Sequence, residues 1–234
     1  MIVTVGNTKG GVGKSTLAVQ LALGLSLDGQ RVWLIDGDRQ GTSLGAITVR
    51  ASKPGKEAIP AAAYPEGATL RAQVLQQKAG FDHVIIDAGG RDSTALRAGL
   101  MISDMILIPY KPRSFDLWAL EDIASLLAEA RAGHDIKALA FLNCADSAGP
   151  DNREAIEQAR DTTGFEIAMV DGDMLEADEA PRPLFIGDRK AIAHASASGL
   201  YIGEYKPKDP KAVTEIEYLK TILMRYHSDI TTTS

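Results

Sequence analysis

The run Lys9-Gly10-Gly11-Val12-Gly13-Lys14-Ser15-Thr16 packs glycines, lysines and hydroxyls into one short stretch, a combination suited to gripping phosphate. Glycines let backbone N–H groups converge on phosphate oxygens where side chains would block the approach. Within such a loop Lys14 would hold the β- and γ-phosphates of a nucleotide such as ATP. Ser15 would coordinate Mg²⁺ through its hydroxyl, and Thr16 would reach the α-phosphate. The loop follows the apolar run Ile2 to Val5 and opens a helix near Lys14, which is the strand–loop–helix setting a phosphate cradle needs.

Carboxylates follow later apolar runs. Asp36-Gly37-Asp38-Arg39-Gln40-Gly41-Thr42-Ser43 succeeds Arg31 to Ile35, and Asp87-Ala88-Gly89-Gly90 closes the run from Phe81. An acid at a strand end beside a phosphate loop can hold a metal ion or orient water. Asn143 follows a further apolar run.

The elements that must carry these residues alternate. Ile2 to Val5, Val32 to Ile35, Val84 to Ile86, Met105 to Ile108 and Ala138 to Leu142 read as short buried parallel strands. Lys14 to Leu27, Leu70 to Lys78, Ser93 to Ile102 and Leu117 to Ala132 carry apolar residues at helical spacing. The βαβα order predicts an α/β fold, a doubly wound, mostly parallel sheet with helices on both faces and its ligands beyond the strands' carboxyl ends. Ala58 to Tyr64 reads as an additional strand within a weakly patterned excursion, 49–67, that holds Pro54, Pro60 and Pro65.

The ordinary GxxxxGK[ST] pattern wants glycine where this chain has Thr8. With Lys9 directly after Thr8, the loop resembles the deviant Walker A motif, KGGxGK[ST], of the ParA/MinD/nitrogenase-iron-protein superfamily of P-loop ATPases. The resemblance implies that Lys9 reaches across a two-fold axis to the nucleotide of the other subunit. The segment from Asp36 resembles the family's DxDPQxxxT, with Arg39 in place of proline. By that likeness Asp38 orients the attacking water and Asp36 helps fix the metal and the loop lysines. Arg39 lacks the fixed φ of proline, so the backbone after Asp38 departs from the family's pattern. Asp87 looks like the Walker B acid, holding Mg²⁺ through water, with switch II after it. Ile106 to Pro109 followed by Ser114 to Leu117 matches the family's strand–proline–helix pattern. Asn143 stands where relatives often contact adenine, and it equally suits a strand-end turn. The resemblance is specific from residue 2 to about 145 and weak from Arg189 to Leu223.

No helix-turn-helix precedes the loop, so the chain looks like a small ParA. That resemblance implies a slow, partner-stimulated ATPase that forms a homodimer on ATP and binds nonspecific DNA. It also implies a partner, a ParB-like centromere-binding protein or cargo adaptor, that triggers hydrolysis. DNA contacts would fall on Arg182, Arg189, Lys190, Lys206, Lys208 and Lys211, unless these form an ordinary solvated face. Asp171, Asp173, Glu176, Asp178 and Glu179 make the preceding stretch acidic, which would repel DNA or meet a basic partner. The alternatives are a MinD-like or carboxysome-type positioning ATPase for a membrane or protein cargo, and a small-molecule ligase or kinase on the same loop. MinD-like membrane binding would need a basic amphipathic final helix, whereas Val213 to Tyr226 contains Glu215 and Glu217.

Composition narrows the field. A length of 234 residues suits one core, so residues 1–226 are expected to form a single domain with 227–234 a frayed tail. The lone Cys144, expected as a buried strand-end thiol, excludes a disulfide framework and a cysteine-rich metal site. With no h-region and no apolar run of about 18 residues, the expectation is a cytoplasmic protein, nucleoid-associated when ATP-bound, with no membrane span. A net charge of −6 confines any DNA contact to a local patch.

Overall fold

A computed structural model describes residues 1–234 except 91, 113–115, 147–149, 162–163, 177 and 233–234; of 116–118, 150 and 229–232 it describes the backbone alone. Ser114 and Phe115 therefore lie outside the described residues. The elements run β1 (Ile2–Val5), α1 (Lys14–Leu27), β2 (Val32–Asp36), α2 (Thr42–Ala51), β3 (Ala61–Ala63), α3 (Gly67–Gln77), β4 (His83–Asp87), α4 (Thr94–Ile102) and β5 (Met105–Tyr110). They continue with α5 (Asp116–Arg131), β6 (Lys137–Ala145), α6 (Pro150–Asp161), β7 (Glu166–Ile167), β8 (Met169–Val170), β9 (Arg182–Pro183), β10 (Phe185–Gly187), α7 (Lys190–Ala197) and α8 (Pro210–Thr232).

The main sheet has the order β10-β6-β5-β1-β4-β2-β3, with β7 also paired to β6, and its pairings are all parallel. β8 and β9 form a separate antiparallel pair. The chain leaves β1 toward β2 on one side and leaves β5 toward β6 on the other. The sheet therefore changes direction between β1 and β5, and the crevice beyond their carboxyl ends is where such folds take ligands.

Period-two alternation divides the core. Val3, Val5, Leu34, Ile85, Leu107 and Phe141 face α1, α2, α7 and α8, while Ile106, Ile108, Ala140 and Leu142 face α4, α5 and α6. Ile2, Trp33, Ile35, Val84 and Ile86 pack against α3 and α4. Thr4 points the same way, and its hydroxyl meets that of Ser103 at 2.8 Å. A methyl group on Gly99 would come within 2.7 Å of the Thr4 hydroxyl, so only glycine lets α4 lie this close to β1. Helix α1 is buried on nearly every face from Leu17 to Leu25, the mark of a helix enclosed by other elements rather than lying on a surface.

Two differences from the sequence reading have local causes. Helix α2 was not expected; its apolar residues are few, and an Asp36 oxygen, not a residue adjoining the helix, accepts the Leu44 N–H in its first turn at 2.9 Å. Helix α8 continues to Thr232, through most of the stretch expected to fray. There His227 lies edge-on against buried His83, with ring centroids 4.9 Å apart. Neither ring nitrogen of His83 has a hydrogen-bond partner. Burial, aided by the N-terminus and His227, lowers its pKa to about 4.

Candidate functional site

The glycine-rich loop joins β1 to α1 at the crevice between β1 and β5. Its entry is fixed by Asn7, whose amide donates to the Pro109 carbonyl at 2.9 Å and accepts the Lys9 N–H at 2.9 Å. This residue was not singled out in the sequence; its position just after a strand and before the loop was the available signal. The Thr8 hydroxyl donates to the Ala119 carbonyl at 3.3 Å, which ties the departure from glycine to α5. Gly13 precedes α1 with φ of 91° and no side chain caps the helix. The first N–H groups of α1 thus face the loop's interior, an anion site made by the helix end itself.

Lys14 is buried, and its ammonium donates to the Lys9 carbonyl at 2.7 Å. Burial lowers its pKa from the ordinary lysine value, with Asp87 and Asp38 acting in the opposite direction. Lys9, Gly10 and Gly11 lie on the surface, while Val12 is buried beneath them. A methyl group added to Gly10 or Gly11 would meet nothing within 4 Å, so the space around the loop is open. Ser15 and Thr16 are half-buried in the first turn of α1.

The three acids differ in what they already hold. Asp36 is fully buried and accepts from the backbone N–H groups of Asp38 at 3.0 Å and Leu44 at 2.9 Å. Asp38 is half-buried and accepts the Gln40 N–H at 3.0 Å. Asp87 is buried at the end of β4, and neither of its carboxylate oxygens makes a hydrogen bond; the same is true of the neighbouring Ser43 hydroxyl. Burial pushes the Asp87 carboxyl up to about 7, and Asp36 adds to the rise, against the nearby Ser15 and Ser43 hydroxyls and Lys14. Ser43 is a further polar group that the sequence reading passed over within the segment after Asp36. A methyl group on Gly90 would lie 3.6 Å from the Lys14 ammonium, so the segment after β4 closes over the loop.

Asn143 is buried near the end of β6, and its amide donates to the Val12 carbonyl at 2.7 Å. The next residue, Cys144, has φ of 54° and is half-buried rather than enclosed as expected. The β6–β10 register shifts here: Ile186 pairs with Asn143, and Gly187 with Ala145. The extra residue is a bulge, which re-aims the chain at a sheet edge. Beyond it a cleft of about 670 Å³ opens among Ala145, Asp146, Asp188, Lys211 and Tyr218.

The six basic residues considered for DNA do not share one environment. Lys190, Lys206, Lys208 and Lys211 are exposed. Arg182 lies over the rings of Phe185 and Tyr218, at 5.7 and 5.6 Å. Arg189 is held by Glu215 at 2.6 Å and approaches Asp209 at 3.7 Å, so its charge is already balanced. In the acidic stretch, Arg225 pairs with Asp171 at 2.6 Å and with Asp173. No helix among the described residues is long and apolar enough to cross a membrane.

Residues 1–61 match the family model described as "AAA domain". The chain is 32% identical over 161 residues to "Maintenance of carboxysome distribution protein A" of Halothiobacillus neapolitanus, a stretch covering 68% of this chain and 71% of that protein. It is 31% identical over 160 residues to "Chromosome-partitioning ATPase Soj" of Thermus thermophilus, covering 56% of this chain and 63% of that one. Among solved structures, the MinD cell division protein of Aquifex aeolicus shares the fold with a TM-score of 0.70 at 17% identity, over 96% of this chain and 97% of that one. Phosphate loop, parallel sheet and relatives agree: the chain belongs to the ParA/MinD-type P-loop ATPases.

Proposed function

We propose that this ATPase is a dimerisation switch: it binds Mg²⁺–ATP, pairs with a second copy, and hydrolyses ATP slowly until a cargo-bound partner accelerates the reaction. The supporting observation is a buried carboxylate, Asp87, without a hydrogen bond, set across from a buried Lys14 and an uncapped helix end. Native proteins seldom leave a buried acid unsatisfied unless something else completes it.

The residues present fit a nucleotide and its metal. The glycine cradle has room for phosphate, and the unpartnered Asp87 and the Ser15 hydroxyl supply hard oxygen ligands for Mg²⁺. When held by Asp87 and Ser15, the ion would supply Lewis-acid neutralisation of the charge that develops during transfer. Lys14 leaves the Lys9 carbonyl for the β- and γ-phosphates. Asp38 orients the attacking water from a loop that Asp36 organises through the Asp38 and Leu44 amides. Lys9, on the surface, reaches the nucleotide of the second copy. The base enters the cleft beyond Asn143.

The cargo reading is DNA, segregated by a dimer that binds it without sequence preference through Lys190, Lys206, Lys208 and Lys211. A second reading, positioning of a protein assembly, is favoured by the pairing of Arg189 with Glu215 and by the relative named for carboxysome distribution. Asp38→Ala tests the switch: with Mg²⁺–ATP it should hold a dimer in light scattering and release no phosphate. Normal phosphate release by Asp38→Ala, or a wild-type protein that stays monomeric at saturating ATP, would sink the switch reading. DNA binding that needs ATP and weakens steeply with salt separates the two cargo readings.

A further inference from the structure

We infer that Arg39 is a positioning residue: paired with Glu66, it tethers the loop after β2 and so holds Asp38 at the phosphate cradle, on the reading that Asp38 orients the attacking water. Asp38 and Arg39 are adjacent, yet their side chains meet opposite neighbours. Asp38 lies against the segment after β4, where a Cβ on Gly89 would come within 3.3 Å of its Oδ2. The next residue, Gly90, sits beside the Lys14 ammonium. The Arg39 guanidinium instead donates to Glu66 Oε1 at 2.6 Å. Glu66 stands directly before α3, and its carboxylate does not cap that helix. The pair therefore joins the loop to α3.

The inner half of the loop is fixed without it. The Gly37 N–H donates to the Asp87 carbonyl at 2.9 Å, and the Asp38 N–H to Asp36 at 3.0 Å. A Cβ on Gly37 would lie 3.1 Å from that of Ala95 and 3.5 Å from Leu70 Cδ1, so the loop starts pressed against α3 and α4. The outer half has no such support. Arg39 and Gln40 are exposed, and a Cβ on Gly41 would meet nothing within 4 Å. An arginine leaves φ free where a proline would fix it, so restraint at residue 39 comes from its side chain. The anchor is firm: the Gly67 N–H donates to the Thr94 hydroxyl at 3.2 Å, and a Cβ on Gly67 would fall 2.1 Å from the Thr94 carbonyl oxygen. Thr94 opens α4, so the tether refers the Asp38 loop to the helix that follows the segment after β4.

The experiment measures steady-state ATP hydrolysis by wild type, Arg39→Ala, Glu66→Ala, the double variant and Arg39→Lys. An exposed ion pair adds little to folding, so all five should melt alike. Each alanine variant should lose kcat by about threefold, the size of one such pair, with KM for ATP unchanged. The double variant should fall no further than either single one. Arg39→Lys, which keeps a cation for Glu66, should retain most of the wild-type kcat. Added salt should shrink the wild-type advantage over Arg39→Ala toward one, as screening dissolves the pair. Equal kcat in wild type and Arg39→Ala would overturn the inference. So would a loss in Arg39→Ala that Glu66→Ala does not share, or a loss carried by KM, which would make Arg39 a nucleotide contact. Amide hydrogen exchange in the nucleotide-free protein supplies a second measurement. Exchange at Asp38, Gln40 and Gly41 should quicken in both alanine variants and stay unchanged in β2 and β4; unchanged exchange at all three would refute the tether. Because this readout needs no ligand, it stands even if the wild type hydrolyses no ATP, an outcome that would count against the ATPase switch alone.

Discussion

The two ends of α1's surroundings treat buried polar groups in opposite ways. Along its flank, Gln20 is fully buried and fully used: its amide nitrogen donates to Ser196 and to the Leu200 carbonyl, each at 2.9 Å, and its oxygen accepts the Ile202 N–H at 2.7 Å. Nearby, buried Arg50 binds Glu204 at 2.8 Å and two backbone carbonyls. Glu204 is held at about 2, the cost of its burial outweighed by Arg50, Lys56 and the Tyr201 N–H. At the amino end of α1, Asp87 and Ser43 have no such partners. Satisfied groups fix one structure, whereas the two at the loop are left for something outside the chain to complete on the ATP reading proposed above.

The contrast can be broken at four points. Lys14→Ala should lower nucleotide affinity by ~100-fold or more, read by titration with a fluorescent ATP analogue, and leave thermal stability of the ligand-free protein nearly unchanged. A collapse in stability would show that Lys14 is structural. Gln20→Ala should do the reverse: destabilise by about 2–3 kcal/mol in urea through lost packing and three orphaned partners, with ATP affinity of the folded protein retained.

His83 sharpens the contrast, being unsatisfied yet far from the loop, at the amino end of β4. Its folded pKa of about 4 lies below the ordinary histidine value, so the unfolded chain binds the extra proton. Stability is then full above the ordinary value and falls by roughly 1–2 kcal/mol between about pH 7 and pH 5. His83→Phe should flatten that slope in pH-dependent melts. An unchanged slope would assign it to other groups. The smallest change in stability is expected from Asp87→Asn, which should raise ligand-free stability by about 1 kcal/mol by removing a buried charge, while abolishing Mg²⁺-dependent hydrolysis. Loss of stability would mean that the carboxylate is bound structurally.

Much of this arrangement was legible in the residues. The bounds of β1 and α1 follow the apolar run Ile2 to Val5 and the helical pattern from Lys14, because glycines punctuate the chain between them. β2 and β4 extend to Asp36 and Asp87, acids that apolar runs alone exclude. What was not legible depends on distant partners. Arg189 reads as a free base until Glu215 is brought beside it, and the Cys144 bulge has no signature in a single strand. The short strands after α6 are set by pairing with β6 or with each other, and their few residues carry no period of their own.

The enclosure of α1 decides where motion can occur. A helix walled in by the sheet, α2, α7 and α8 sits in a packed core, and close-packed interiors resist gradual deformation. On the switch reading proposed above, what a γ-phosphate changes on arrival or departure would be taken up by the peptide spans after β2 and β4. A signal of nucleotide state reaching the molecule's exterior would then start there and leave the central axis still.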